Sequence, residues 1–444
     1  MPAETNQTKP VAVPLSRPPS PRVDSVDTLR GLIIALMIFV NDVAGVRHAP
    51  GWLKHATAQE DAMTLPDIVF PCFLFMVGVS VPLALDRARA AGASTAELFL
   101  KILGRTGVLL TMGVLMVNME EYSPWPRGAW GALAYLAMFL AFAVVPPKPG
   151  PFRSPLVIGR RIGGLALVGL ALAYTNEHGQ HLLLGPLFDP TDTLWLRHSW
   201  WGILGLIGWA YLVSATLYLI IGRRREWLVG ATGLLMLLYV ADRANIATRL
   251  ANREWLDGAR PLTAVLLNFF GWINSHVSFG EALGSLAAIA MAGCCLGSIL
   301  VPRSEVNTER ERLRWAAVFG AGLLIAVLLF DPVYGLNKIN ATPAWCFLCA
   351  AIATFGWIFL YWWMDVRSHR AWSSVLRPAG ANPLLAYLLH PFLYAVAGLT
   401  GLRIDFYRSP DWPLAINLVG CLLMALLVVR LTGLIARAGF RIKA

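Results

Sequence analysis

The chain has 444 residues, of which 57% are hydrophobic and only 14% charged, well below the roughly 25% charge of an ordinary soluble domain. Its formal charge of +11 would suit a nucleic-acid binder, but the basic residues sit in short segments between apolar blocks. Membrane topology therefore explains them, and no nucleic-acid partner is expected.

In chain order, residues 1–24 come first, with Pro2, Pro10, Pro14, Pro18, Pro19 and Pro21 and no apolar signal-type stretch. This composition predicts a disordered, Pro-rich cytoplasmic tail without a cleavable signal. From 25 to 444 the pattern predicts one all-α, polytopic membrane helix bundle. Apolar blocks fall near 31–45, 67–85, 102–118, 129–145, 161–174, 199–221, 227–241, 281–301, 314–330, 343–364, 381–400 and 413–436, most of them long enough to cross a hydrocarbon core of ~30 Å. The fifth is short and the seventh marginal, so 10 to 12 spans are expected. With the N-terminus inside, the inner segments hold 25 Lys and Arg and the outer segments 11. That bias predicts an even number of spans with both termini cytoplasmic.

The ionisable residues cluster around the first two spans. Asp27 and Arg30 stand three apart at the start of the first, so they share a helix face and can pair; anchoring by the positive-inside rule explains them equally well. Asn41 lies near the far end of that span, His55 in the following loop, and Asp67 where the chain re-enters the membrane. A base, a hydrogen-bond donor and an orienting carboxylate form a usable set for acyl transfer, although a single loop histidine is more often simply solvated. Six of the eight histidines, His48, His55, His178, His181, His198 and His276, fall in outer segments. Glu120, His276, Asn337, Lys338 and Asn340 are candidates to line an acceptor site there, with loop solvation as the plain alternative. Asn382 and His390 belong to the 381–400 block, where an ionisable group at membrane depth is a functional candidate by default.

Other motifs take plainer readings. Cys346 and Cys349 form a CxxC inside an apolar stretch with no second pair, and the six cysteines all lie in or beside apolar blocks, so neither a metal site nor a disulfide framework is expected. Gly293 and Gly297 read as a close helix-packing motif. The 17 tryptophans read as interfacial anchors, with Trp52, Trp125 and Trp200 able to stack on a sugar ring.

VDTLRGL, the Asn41 that ends the first span, KHA at 54–56 and LPDIVFPCFLFMVG at 65–78 resemble the membrane domain of the heparan-alpha-glucosaminide N-acetyltransferase family and its bacterial relatives. SHVSFGEALGSLAAIAMAG at 275–293, NKINATPAW at 337–345 and PAGANPLLAYLLHPF at 378–392 extend the likeness more weakly. The resemblance implies an acetyl-CoA-dependent transmembrane acyltransferase over 25–444, with His55 and Asn41 as the active-site pair. It also implies transfer from cytoplasmic acetyl-CoA to a sugar or glycan outside the cytoplasm. Because CoA carries several phosphates, Arg30, with its neighbour Asp27, and Arg105 are the inner-face residues expected to hold it. The resulting expectation is an acetyltransferase of the bacterial inner membrane, metal-free and capable of homo-oligomerisation, with His55 as general base, Asn41 as oxyanion donor and Asp67 as orienting acid. The competing class is a transporter or flippase; it calls for matched halves with mid-membrane charges, and no internal repeat is evident.

Overall fold

A computed structural model describes residues 23–120, 128–146, 153–174, 196–246, 249, 260–302 and 304–443. The expected Pro-rich tail, Trp125, His178 and His181 lie outside the described residues, and the side chain of Glu120 does as well. Thirteen long helices account for the described structure: α1 (Asp24–Val43), α2 (Leu65–Ala90), α3 (Thr95–Glu120), α4 (Ala129–Ala141), α5 (Arg153–Leu172), α6 (Gly202–Ile221), α7 (Arg225–Arg243), α8 (Arg260–His276), α9 (Glu281–Ser298), α10 (Glu309–Tyr334), α11 (Pro343–Val366), α12 (Pro383–Thr400) and α13 (Leu414–Arg437). The β-structure among the described residues is one isolated bridge, Ala143 to Ile442. The protein is an all-α, polytopic membrane bundle.

All but α8 coincide with the apolar blocks of the sequence. Among the described residues nine helices have both the length and the apolarity to cross a bilayer. The three blocks that fall outside this set do so for local reasons. α4 is short, with 13 residues. α1 carries Asp24, Asp27, Arg30 and Asp42, and α7 carries Arg225, Glu226, Asp242 and Arg243. α8 lies in what the sequence suggests is one long outer loop; Phe269, Phe270 and Trp272 on it are exposed.

Burial sorts the spans into layers. In α9 89% and in α2 72% of the most apolar window is buried, against 17% in α5 and in α10. α2 and α9 therefore form the centre, while the Leu, Ile and Val residues of α5 and α10 face lipid. Small residues permit the central contact. A Cβ on Gly78 would lie 1.9 Å from the carbonyl oxygen of Ala290, and one on Gly293 would lie 2.0 Å from that of Phe75. The two backbones touch, and the expected packing motif finds its partner in α2. At the end where α1 begins, a second close approach brings Gly31 and Gly380 together, with Gly380 on the short helix Arg377–Ala381.

Candidate active site

The first turn of α2 is built around a buried acid. Thr64 precedes the helix, Pro66 sits in its first turn, where a missing N–H costs nothing, and Asp67 occupies the third helical position. One Asp67 oxygen, Oδ2, accepts the backbone N–H groups of Thr64 (3.1 Å) and Ala56 (3.2 Å) and lies 2.8 Å from Thr64 Oγ1. The other, Oδ1, lies 2.6 Å from His55 Nδ1. The Asp67 side chain is about 1% exposed and that of His55 50%. The buried carboxylate thus accepts a hydrogen bond from Nδ1–H, fixes the tautomer and leaves Nε2 as the unprotonated nitrogen of a half-open ring.

A second loop comes down on the same imidazole. Residues 335–342 join α10 to α11, starting at Gly335 with φ +62°, a left-handed conformation that glycine adopts without strain. Asn337 donates from Nδ2 to the carbonyls of Thr57 and Glu60, both at 2.8 Å, and Asn340 donates to that of Ala58 at 2.9 Å. Asp61 accepts the N–H of Leu336 at 2.6 Å. These bonds stitch the loop to the His55 loop and set Lys338 Nζ 3.2 Å from His55 Nδ1, 3.4 Å from Nε2 and 4.0 Å from Asp67 Oδ1. Burial pulls the Lys338 ammonium below the ordinary lysine range, with Asp67 partly opposing the shift. The indole of Trp345 on α11 donates to the Asp67 carbonyl at 3.1 Å, fixing the third side of the site.

The structure therefore brings together His55, Asp67, Asn337, Lys338 and Asn340, five residues singled out from the sequence. Asn337 and Asn340 spend their amide nitrogens on loop carbonyls, so their contribution is to hold Lys338 rather than to present donors to a ligand. Asn41 is exposed and makes no hydrogen bond to His55. One residue further on, Asp42 is fully buried. It is reached by Tyr394 Oη (2.7 Å), Tyr407 Oη (2.7 Å), His390 Nε2 (3.2 Å) and the Arg408 guanidinium. His390 belongs to this cluster, which ties α1, α12 and the 406–408 turn together. Sequence reading missed it, although an aspartate at membrane depth was the available signal. Asn382 is buried at the N-cap of α12, about 12 Å along the helix from His390 and outside the Asp42 cluster. His276 is also elsewhere: its carbonyl accepts the Trp201 indole at 2.6 Å and its ring stacks on His198 at 5.2 Å.

At the end where α1 begins, Arg30 donates to Ser80 Oγ (2.7 Å), the Gly380 carbonyl (2.9 Å) and Asp27 (3.3 Å). Arg105 lies over the Tyr211 ring, 4.6 Å from its centroid. Its Nε is buried without a partner. A cleft of about 980 Å³ between α3, α6 and α7, walled by Phe99, Leu103, Leu217, Trp227 and Leu234, shares no residue with the His55 site. Among the described residues no group of three or more His, Cys, Asp or Glu side chains could hold a metal ion.

Residues 22–144 match a family model described as Domain of unknown function (DUF5009). The chain is 38% identical over 98 residues to the heparan-alpha-glucosaminide N-acetyltransferase of Homo sapiens and 37% identical over 97 residues to that of Mus musculus. Each match covers 22% of this chain and 14% of the relative, so the chain spans about one seventh of the length of these curated relatives. The likeness first read from a few motifs is thus found again over a longer stretch: the chain carries a DUF5009 region containing both His55 and Asp67, and it is similar in part to heparan-alpha-glucosaminide N-acetyltransferase.

Proposed function

We propose that the protein is a transmembrane acetyltransferase that takes acetyl from cytoplasmic acetyl-CoA and passes it to a sugar or glycan on the other side of the membrane. The reading includes both termini in the cytoplasm and a bacterial inner-membrane location, with the bilayer as the immediate partner. The observation that carries it is the His55–Asp67 pair: a half-exposed imidazole oriented by a buried carboxylate at the opposite end of the bundle from Arg30 and Arg105. The partial likeness to a named N-acetyltransferase supports the same chemistry.

A thioester is activated enough to acylate an amine or hydroxyl without further energy input. The protein must position it, remove the acceptor's proton and stabilise the oxygen that becomes negative. Nε2 of His55 is the base, and Asp67 stabilises the imidazolium that forms. Arg30 and Arg105 are the cations suited to CoA phosphates, with Asp27 holding Arg30 in place. Asn41 is the oxyanion donor that the family resemblance nominates, although it makes no hydrogen bond to His55 in this structure.

The test is transfer of labelled acetyl from acetyl-CoA to glucosamine by proteoliposomes containing the full chain. Wild type should transfer label, and His55→Ala should lower the rate at least about 100-fold with an unchanged amount of folded protein. Full transfer by His55→Ala would overturn the proposal.

A further inference from the structure

We propose that Lys338 is the oxyanion-stabilising residue of this site, filling with a cation the place that the sequence assigns to the Asn41 amide. The inference rests on the acetyltransferase reading above and adds a residue and a role to it. Three observations carry it. Lys338 Nζ lies within 3.4 Å of both ring nitrogens of His55, whereas Asn41 makes no hydrogen bond there. The lysine does not reach the site by chance, since Asn337, Asn340 and Asp61 fasten its loop to residues 57–61 through four hydrogen bonds of 2.9 Å or less, and the Ala62 N–H adds a fifth to the Leu336 carbonyl at 2.9 Å. Finally, its nearest carboxylate is 4.0 Å away and that carboxylate is already committed to His55, Ala56 and Thr64. The ammonium is held close to the reacting position without being neutralised by a tight ion pair.

The step balances as follows. The acceptor nitrogen or oxygen bonds to the thioester carbonyl carbon while its proton moves to His55 Nε2. The carbonyl π electrons move onto oxygen, and the resulting oxyanion is held by the Lys338 ammonium. When C=O re-forms, the C–S bond breaks and the CoA sulfur leaves with the electron pair, taking the proton back from Nε2. The products are the acetylated acceptor and CoA thiol, and Lys338 keeps its protons throughout. A preorganised cation in a partly desolvated site strengthens most where charge develops, so it favours the transition state over the bound thioester.

A charge role is separable from a packing role. The groups that face Lys338 are His55 of the preceding loop and Asp67 of α2; Asp61 accepts the Leu336 N–H in the lysine's own loop, and Arg243 of α7, paired with Glu281 of α9, donates to the Asn340 carbonyl. Because burial lowers the lysine's proton affinity, the ammonium is lost at a lower pH than in a free lysine, and the alkaline limb of the rate profile should fall there. Lys338→Met should lose about 10²–10³-fold in acetyl transfer to glucosamine. Lys338→Arg should retain a measurable part of it with the alkaline limb displaced upward. Lys338→Cys should be as slow as the Met variant and recover on treatment with 2-bromoethylamine, which rebuilds an ammonium at that length; the six native cysteines are all buried and serve as the unmodified background.

Unchanged rate and pH profile in Lys338→Met, with His55→Ala inactive, would overturn this inference while leaving the acetyltransferase reading intact. Failure of the aminoethylated Cys variant to recover, in protein that elutes and melts like wild type, would also overturn it. No transfer by the wild type would overturn both.

Discussion

Asp67→Asn separates the two jobs of the buried carboxylate. Oδ2 receives the N–H groups of Ala56 and Thr64, while Oδ1 faces only His55 Nδ1 and, further off, Lys338. An asparagine has one acceptor oxygen, and the backbone donors will claim it. The amide NH₂ then points at His55 Nδ1, which must accept, so the ring proton moves to Nε2, the nitrogen needed as base. The helix cap survives at a cost of about 1–2 kcal/mol, for exchanging charge-assisted hydrogen bonds for neutral ones. Catalysis should fall far more, roughly 10²–10⁴-fold, or about 3–5 kcal/mol of barrier. Acetyl transfer to glucosamine measures the second quantity, and thermal unfolding in detergent the first. Asp67→Ala, which removes the cap as well, should lose at least another ~1 kcal/mol of stability. The reasoning fails if Asp67→Asn keeps more than about a tenth of the wild-type rate, or if it melts no higher than the alanine variant.

Three further outcomes follow from the same coordinates. Asp42→Leu strands the Arg408 charge and should cost about 3–5 kcal/mol, while Asp42→Leu with Arg408→Leu should cost less than the single change; equilibrium unfolding in mixed micelles compares them, and a single variant within ~1 kcal/mol of wild type would contradict the role given to the cluster. Gly78→Ala drives a methyl to 1.9 Å from the Ala290 oxygen and should cost at least about 1–3 kcal/mol. Gly104→Ala, whose Cβ meets nothing within 4 Å, should be neutral or stabilising by up to ~1 kcal/mol; a reversed order of melting temperatures would refute the α2–α9 contact. Lys338 has a folded-state pKa below its unfolded value, so folding is penalised wherever both states are protonated, and the penalty disappears as pH rises from the folded to the unfolded value. Lys338→Met should therefore melt higher than wild type at pH 7, with the gap closing in alkaline buffer; a gap constant with pH would show that the ammonium is not desolvated.

The helices were legible because crossing a bilayer demands runs of apolar residues: the twelve runs became twelve helices, nine of which, among the described residues, are long and apolar enough to cross. The His55 site was only partly legible: its residues stood out as polar groups in outer segments, where loop solvation explained them as well as a shared site did. Distance along the chain hides the meeting itself. Lys338 is 283 residues from His55, and nothing in NKINATPAW announces that the two asparagines grip carbonyls at 57, 58 and 60. Asn41 and Asp42 show the limit most clearly. Successive helical positions are turned by about 100°, so one faces the interior and its neighbour does not. The sequence places both at the end of α1 without saying which is buried; the polar partners that decide it, Tyr394, Tyr407 and Arg408, come from some 350 residues later. α8 stayed hidden because a helix that does not span leaves no 20-residue apolar run.

The backbone-to-backbone seam between α2 and α9 bears on how substrates reach the imidazole. Where Gly78 and Gly293 let the backbones touch, no side chain stands between the partners, so the two central helices are locked together at that level. Asp67 stands at the end of α2, beyond Pro71 from the Gly78 contact. On the acetyltransferase reading, an opening that admits a thioester from one aqueous side and an acceptor from the other is then easier to make by displacing peripheral helices or the 335–342 loop than by parting α2 from α9.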